Sequence, residues 1–203
     1  MKLHVTFTSP YARMTRVSLI EHGLQDQVEV IKAQTRQANS PYYTIAPSGR
    51  VPILELDDGR TLEESELICA YFDALGNGPA LLRPAELDNW EYGRLNAMAR
   101  SYIDGVGVWG RELRRPANEQ SPNIIAHETA RNQRLADAWE REIEHPLMNG
   151  DLNGAQLLLY CAFEALKNYT GAEATPDHPQ LQAWRARLSE RPSLAATPPP
   201  PYR

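Results

Sequence analysis

The N-terminal run KLHVTFT alternates apolar and polar residues, the period of a half-buried strand. From Pro10 the spacing changes. Met14, Val17, Ile20 and Leu24 recur at steps of three and four, which predicts a helix, and Gly23 is a natural stop just past its last turn. VEVIK, from Val28 to Lys32, predicts a second strand. ANSPYYTIAPSGR is polar and turn-rich, with room for one short irregular helix. VPILELDDGRTL predicts a hairpin, two short strands joined through Asp57-Asp58-Gly59. Glu64 to Leu75 then predicts a helix with Leu67, Ile68, Tyr71, Phe72 and Leu75 on its buried stripe. The order is β-α-β-(α)-β-β-α, so the first two strands should be parallel and the hairpin antiparallel.

GNGPALLRPAE carries the glycines and prolines of a linker, and beyond it no strand pattern persists. LDNWEYGRLNAMARSYIDGVGVWGRELRR predicts a long helix despite its internal glycines. Each of those costs about 1 kcal/mol relative to alanine in an exposed helix, which close helix–helix packing would offset. A second long helix is predicted from about Asn123 to Leu147, with Leu135, Trp139 and Ile143 at four-residue steps. Asn153-x-x-Gln156 resembles a capping box ahead of LLLYCAFEAL. A final helix starts near Pro179, and the proline-rich tail is expected to be extended on the surface. The expected organisation is a small α/β domain over 1–76, a linker over 77–86 and an all-α domain over 87–203.

Composition narrows the function classes. The chain has 203 residues, 42% of them hydrophobic, and a formal net charge of −5. That charge disfavours a nucleic-acid partner or an anionic membrane surface. No apolar run reaches the roughly 18 residues of a membrane span, and the N-terminus is too polar for a secretory signal. The expectation is a soluble cytoplasmic protein. Cys69 and Cys161, its two cysteines, sit in apolar helical contexts and are expected to be buried. There is no C-x-x-C, and the five histidines show no ligand spacing. No metal site is expected.

Three points carry candidate chemistry. Ser9-Pro10 reads as a helix start, because serine is a favoured N-cap and proline is favoured at the first helical position. Equally, a hydroxyl there could donate to an anion, helped by the helix N-terminus. In SGRVPIL, Pro52 opens a strand. A trans Val51–Pro52 bond is the ordinary expectation; a cis bond would turn the Val51 backbone outward, where its N–H and C=O could pair with an extended, peptide-like ligand. In TLEESEL, Ser65 fits an N-cap and Thr61-x-x-Glu64 fits the capping-box formula. Alternatively, Ser65 and its helix N-terminus bind a carboxylate while Glu64 binds an adjacent ammonium group, a pair suited to the zwitterionic end of an amino acid or a γ-glutamyl group.

In combination these motifs resemble the glutathione S-transferase superfamily, in its bacterial, serine-type and YibF-like group. TSPYARMTRVSLIEHGL, APSGRVPILELDDGRTLEESELICAYFD and the closing WRARLSERPSLAAT carry the resemblance, which spans essentially the whole chain. It implies a thioredoxin-like, glutathione-binding N-terminal domain with a mixed four-stranded sheet, followed by an all-α domain. By similarity Pro52 is the cis-proline of that fold and Val51 pairs its backbone with the cysteinyl part of glutathione. Glu64 and Ser65 hold the γ-glutamyl end, and Arg50 reaches the glycyl carboxylate. Ser9 faces the sulfur. An electrophile pocket between the domains would be walled by Tyr11, Tyr102, Val106 and Trp109. The implied activity is a transferase that presents the glutathione thiolate to a small electrophile, acting as a homodimer without a metal. A glutathione-dependent peroxidase, isomerase or dehalogenase, or a non-catalytic binding or regulatory protein on the same scaffold, is the alternative. Tyr11 is the rival thiol donor. Gln156 and Asn153 depart from the family's usual capping box, whose acid is aspartate and whose cap is serine or threonine.

Overall fold

The computed structural model describes residues 1–82, 89–173 and 177–201. Two compact units result, Met1–Ala85 and Glu86–Arg203. Of the expected linker, residues 83–86 lie outside the described residues, as do the last two residues of the tail.

The first unit is a four-stranded mixed sheet with helices. Strand β1 (Lys2–Val5) leads into helix α1 (Pro10–Glu21), followed by β2 (Glu29–Lys32) and the short α2 (Tyr42–Ile45). The hairpin β3 (Ile53–Glu55) and β4 (Thr61–Glu63) then runs into α3 (Ser65–Leu75). Strand order is β2-β1-β3-β4. β1 pairs parallel with β2, Leu3 opposite Val30, and antiparallel with β3, Leu3 opposite Leu54. β3 pairs antiparallel with β4, Leu54 opposite Leu62. The parallel pair and the antiparallel hairpin are those the sequence predicts. The hairpin turn needs a left-handed residue, and Gly59 supplies it at φ 85.

Alternation along the strands builds a core on each sheet face. Leu3, Val5 and Leu54 meet Ala12, Leu19, Ile68 and Phe72 of α1 and α3. Ile53 packs with Ala33, Tyr42 and Ala46 in a second cluster, against which Val51 and Tyr43 lean. α3 departs from expectation. Ile68, Cys69 and Phe72 are buried, but Leu67 and Leu75 are 52% and 44% exposed. The buried stripe is narrower than the apolar sequence, and two leucines face outward.

The second unit is helical throughout its described residues. It contains α4 (Asn89–Glu112), a 3-10 turn (Ala117–Glu119), α5 (Pro122–Glu142), α6 (Pro146–Asn149), α7 (Gly154–Thr170), α8 (Pro179–Ser189) and α9 (Pro192–Ala195). α7 is its axis, buried at Leu157, Leu158, Leu159, Cys161, Phe163 and Leu166. The single helix expected to reach Leu147 ends instead at Glu142. Pro146 removes an N–H, and its ring forces His145 into extended geometry at ψ 137.

The glycines of α4 include two at close approaches. A Cβ on Gly110 would lie 2.7 Å from Tyr169 Cβ of α7, and one on Gly105 would lie 2.9 Å from Glu128 Oε2 of α5. The expected capping box closes on one side only. Asn153 Oδ1 accepts from the Gln156 N–H at 3.2 Å, but Gln156 Nε2 donates to the carbonyls of Leu147 and Asp151. Asn153 Nδ2 also donates to Leu147, at 2.7 Å. The two amides thus pin the preceding loop in place of a reciprocal cap. The tail follows the surface in part: Thr197 is buried and bonds to Ser193 O at 2.9 Å, while Asn168 Nδ2 donates to Pro200 O.

Candidate functional site

Ser9 ends the loop after β1 and caps α1. Its backbone is extended (φ −76, ψ 124), and Oγ accepts from the Ala12 N–H at 3.3 Å. Serine is therefore the N-cap that the Ser-Pro step predicts. Capping occupies a lone pair and leaves the hydroxyl proton for another acceptor, so the structural and chemical readings of Ser9 are compatible. No acidic residue lies in the first turn of α1, and the positive end of the helix dipole is not offset there. Tyr11 is half-buried on the first turn of α1.

The second group sits where the loop after α2 meets β3 and where β4 meets α3. The Val51–Pro52 bond is cis. Pro52 is buried, Val51 half-buried and Arg50 exposed. Arg50 Nη1 lies 3.6 Å from Glu64 Oε1, both side chains being more than half exposed, so this pair is worth little as a stabilising contact. It does bring two of the expected site residues together.

Glu64 and Ser65 are placed one residue differently from the capping prediction. Glu64, not Ser65, is the N-cap. It has φ 73 and makes no side-chain cap bond. Ser65 is the first helical residue, and Thr61 belongs to β4, so the Thr61-x-x-Glu64 box does not form. A non-glycine residue at positive φ is strained by about 1–3 kcal/mol. Ser65 is 2% exposed, and its hydroxyl oxygen is buried without a hydrogen-bond partner. An orphaned hydroxyl of this kind costs about 1–3 kcal/mol. Strain at Glu64 and an unsatisfied donor at Ser65 thus coincide at the start of α3.

Residues that periodicity does not reveal hold this region in shape. The Tyr42 hydroxyl donates to the Arg50 carbonyl. Burial, then the nearby Glu63 carboxylate, push the Tyr42 phenol up to about 12, so it remains a donor at any ordinary pH. Ser48 Oγ accepts from the Arg50 N–H at 3.2 Å and donates to Glu63. Tyr42 and Ser48 lie in a stretch read only as turn-rich, and no spacing rule marks them. On the far side of the unit, His22 Nδ1 accepts from the Gly78 N–H at 3.2 Å, which leaves Nε2–H to donate to Asp73 at 2.8 Å. Asp73 also receives the N–H groups of Leu81 and Leu82.

In the helical unit, Tyr102, Val106 and Trp109 are buried on α4. They line a small cavity with Gly105 and with Glu128, Arg131, Asn132 and Leu135 of α5. The Tyr102 ring meets Phe163 edge-on at 5.2 Å. Both cysteines are buried, and neither is in a disulfide. Among the described residues no cluster of three or more His, Cys, Asp or Glu could hold a metal, and no helix is long and apolar enough to cross a membrane.

Comparison with known proteins connects these features. Residues 8–75 match the family model of the glutathione S-transferase N-terminal domain. That stretch spans Ser9, Arg50, Val51, Pro52, Glu64 and Ser65. The chain is 28% identical over 202 residues to "Uncharacterized GST-like protein YibF" of Escherichia coli strain K12, covering 98% of this chain and 99% of that protein. It is 26% identical over 212 residues to glutathione S-transferase 2 of Saccharomyces cerevisiae, covering 96% of this chain and 88% of that one. A glutathione transferase family member from Pseudomonas fluorescens Pf-5, crystallised with bound glutathione, superposes with a TM-score of 0.86 at 28% identity, covering 98% of both chains. Residues 8–75 thus form a glutathione S-transferase N-terminal domain, and the likeness to a GST-like relative and to a glutathione transferase structure runs nearly the length of the chain.

Proposed function

We propose that the first unit binds glutathione and presents its thiolate to a small electrophile. The observation that carries this reading is the buried, unpartnered Ser65 hydroxyl beside the exposed Glu64 carboxylate. The fold gains nothing from a buried hydroxyl left without a partner. A γ-glutamyl group would satisfy both, its carboxylate taking the Ser65 hydroxyl and the α3 N-terminus, its ammonium taking Glu64. A rotation about the Ser65 Cα–Cβ bond, between staggered wells, is enough to turn the hydroxyl toward such a ligand. Arg50 would reach the glycyl carboxylate and exchange its contact with Glu64 for it. The Val51 backbone would pair with the cysteinyl residue. The glutathione bound to the Pseudomonas fluorescens relative supports the assignment.

Ser9 is the residue proposed to act on the sulfur. A free thiol has a pKa near 8.5, and the thiolate is the nucleophile. Ser9 donates its free hydroxyl proton to the sulfur as a hydrogen bond and does not remove the thiol proton, which passes to solvent. The hydroxyl and the α1 N-terminus stabilise the anion more than the neutral thiol. Lowering the thiol pKa by about two units needs roughly 2.7 kcal/mol of such preference. The thiolate then forms a bond to an electrophilic carbon and displaces its leaving group. Tyr11 would flank the sulfur. Tyr102, Val106 and Trp109 are proposed for the electrophile on the family resemblance, since the small cavity they line between α4 and α5 has room for about one water. The protein is proposed to act as a homodimer, a reading supported by the outward-facing Leu67 and Leu75 of α3.

Two measurements on one variant test the chemistry. In Ser9→Ala, the pKa of bound glutathione, read from thiolate ultraviolet absorbance, should rise by about one to two units, with turnover of an electrophile falling roughly tenfold or more at neutral pH. Glutathione affinity should be nearly unchanged. A variant with wild-type pKa and turnover would return Ser9 to a helix cap alone.

A further inference from the structure

Arg50 is held through its main chain as well as by the exposed pair of its side chain with Glu64. Its N–H donates to Ser48 Oγ at 3.2 Å and its carbonyl accepts from the Tyr42 hydroxyl. Neither partner is a strand. Tyr42 is 4% exposed, its ring tilted against His4 at 5.8 Å and packed with Ala33, Ala46 and Ile53. The donor is therefore rigidly seated in the core of the unit, while the acceptor belongs to an exposed loop residue.

The Arg50 carbonyl and the Val51 N–H share one peptide plane. Among the described residues, the Val51–Pro52 bond is the one cis peptide, so the Arg50–Val51 unit is trans and planar. In such a plane the C=O and the following N–H point in opposite directions. A hydroxyl that fixes the carbonyl toward the core thus aims the Val51 N–H away from it. We infer that Tyr42 is a positioning residue for glutathione: by holding the Arg50 carbonyl inward it presents the Val51 N–H outward, to the cysteinyl carbonyl of the ligand. This rests on the glutathione reading above. Without the hydroxyl the plane is free to rotate, and the ligand must bear the entropy of fixing it.

The proton stays on Tyr42, so the role is not pH-switched. The neighbouring Tyr43 provides the control, since its half-buried ring contacts Tyr42 but does not bond to Arg50.

Tyr42→Phe keeps the ring and removes only the hydroxyl. Titration with glutathione should give a Kd roughly five- to tenfold above wild type. Tyr43→Phe should match wild type. In parallel, amide NMR should show the Val51 proton of the wild type moving downfield on saturation with glutathione, and moving much less in Tyr42→Phe. Equal affinity and equal Val51 shifts in wild type and Tyr42→Phe would overturn the role while leaving glutathione binding intact. A wild-type Val51 amide unmoved at saturation would overturn it too, whatever the variant does. Absence of binding by the wild type would instead overturn the glutathione reading, and the role of Tyr42 with it.

Discussion

Ser9 shows how one side chain serves both fold and chemistry. As a cap it accepts from Ala12. As a donor it retains its proton. A sequence reader meets these as rival explanations, yet a hydroxyl has capacity for both. Ser65 was less legible. Serine before a helical run reads as an N-cap, but Glu64 takes that place at φ 73 and Ser65 becomes the first residue of α3. No residue pattern announces a glutamate in a left-handed conformation. Tyr42 was not legible at all, because its partner is a backbone carbonyl eight residues away across a turn. At this scale we expect Ser65→Ala to remove an orphaned hydroxyl. It should therefore leave stability unchanged or raise it by up to about 1 kcal/mol, measured by urea unfolding, while weakening glutathione binding. Loss of stability together with unchanged binding would make Ser65 structural.

At the scale of elements, periodicity located the described strands and the main helices, although β2 and β4 bury none of their residues fully. Ends were harder to place. Pro146 divides what the apolar spacing joins, and Leu67 and Leu75 extend an apolar pattern past the surface that α3 covers. Two of the α4 glycines, Gly105 and Gly110, lie at close helix–helix approaches. Gly110→Ala should destabilise by about 1–3 kcal/mol, because its Cβ would lie 2.7 Å from Tyr169 Cβ. Gly93→Ala, with nothing within 4 Å and an exposed helical site, should stabilise by up to about 1 kcal/mol. Urea denaturation of the pair checks both signs.

The bridge between α4 and α5 predicts a pH dependence. Arg94 donates to Glu91 at 2.9 Å and to both oxygens of Glu142, at 2.9 and 2.8 Å. Those hydrogen bonds hold both carboxyls below the usual glutamate range. A depressed folded-state pKa contributes stability that is complete above the unfolded value, about 4.3 for glutamate, and is lost as pH falls through the folded value. Thermal unfolding should therefore show a modest loss below about pH 4 that is smaller in Arg94→Leu. Equal acid sensitivity in the two proteins would remove the bridge as its source.

At the scale of the whole molecule, strand and helix patterns mix up to about residue 76 and no strand pattern persists beyond the linker; the chain forms two compact units, Met1–Ala85 and Glu86–Arg203. The resemblance was readable because Ser-Pro, Val-Pro and Glu-Ser fall at fixed places in one β-α-β-β-α frame. The electrophile was not, because no comparable pattern of residues marks the helical unit. The proposed assembly is checked by sedimentation equilibrium. Twice the chain mass is expected, and Leu67→Glu should shift the population toward the single chain. The central claim, that Glu64 and Ser65 form a γ-glutamyl site, is tested most directly by calorimetric titration of the protein with glutathione beside Glu64→Ala. Micromolar-to-millimolar binding in the wild type, lost or weakened at least tenfold in the variant, is the predicted result; no heat of binding in the wild type, or equal affinity in both proteins, would contradict it.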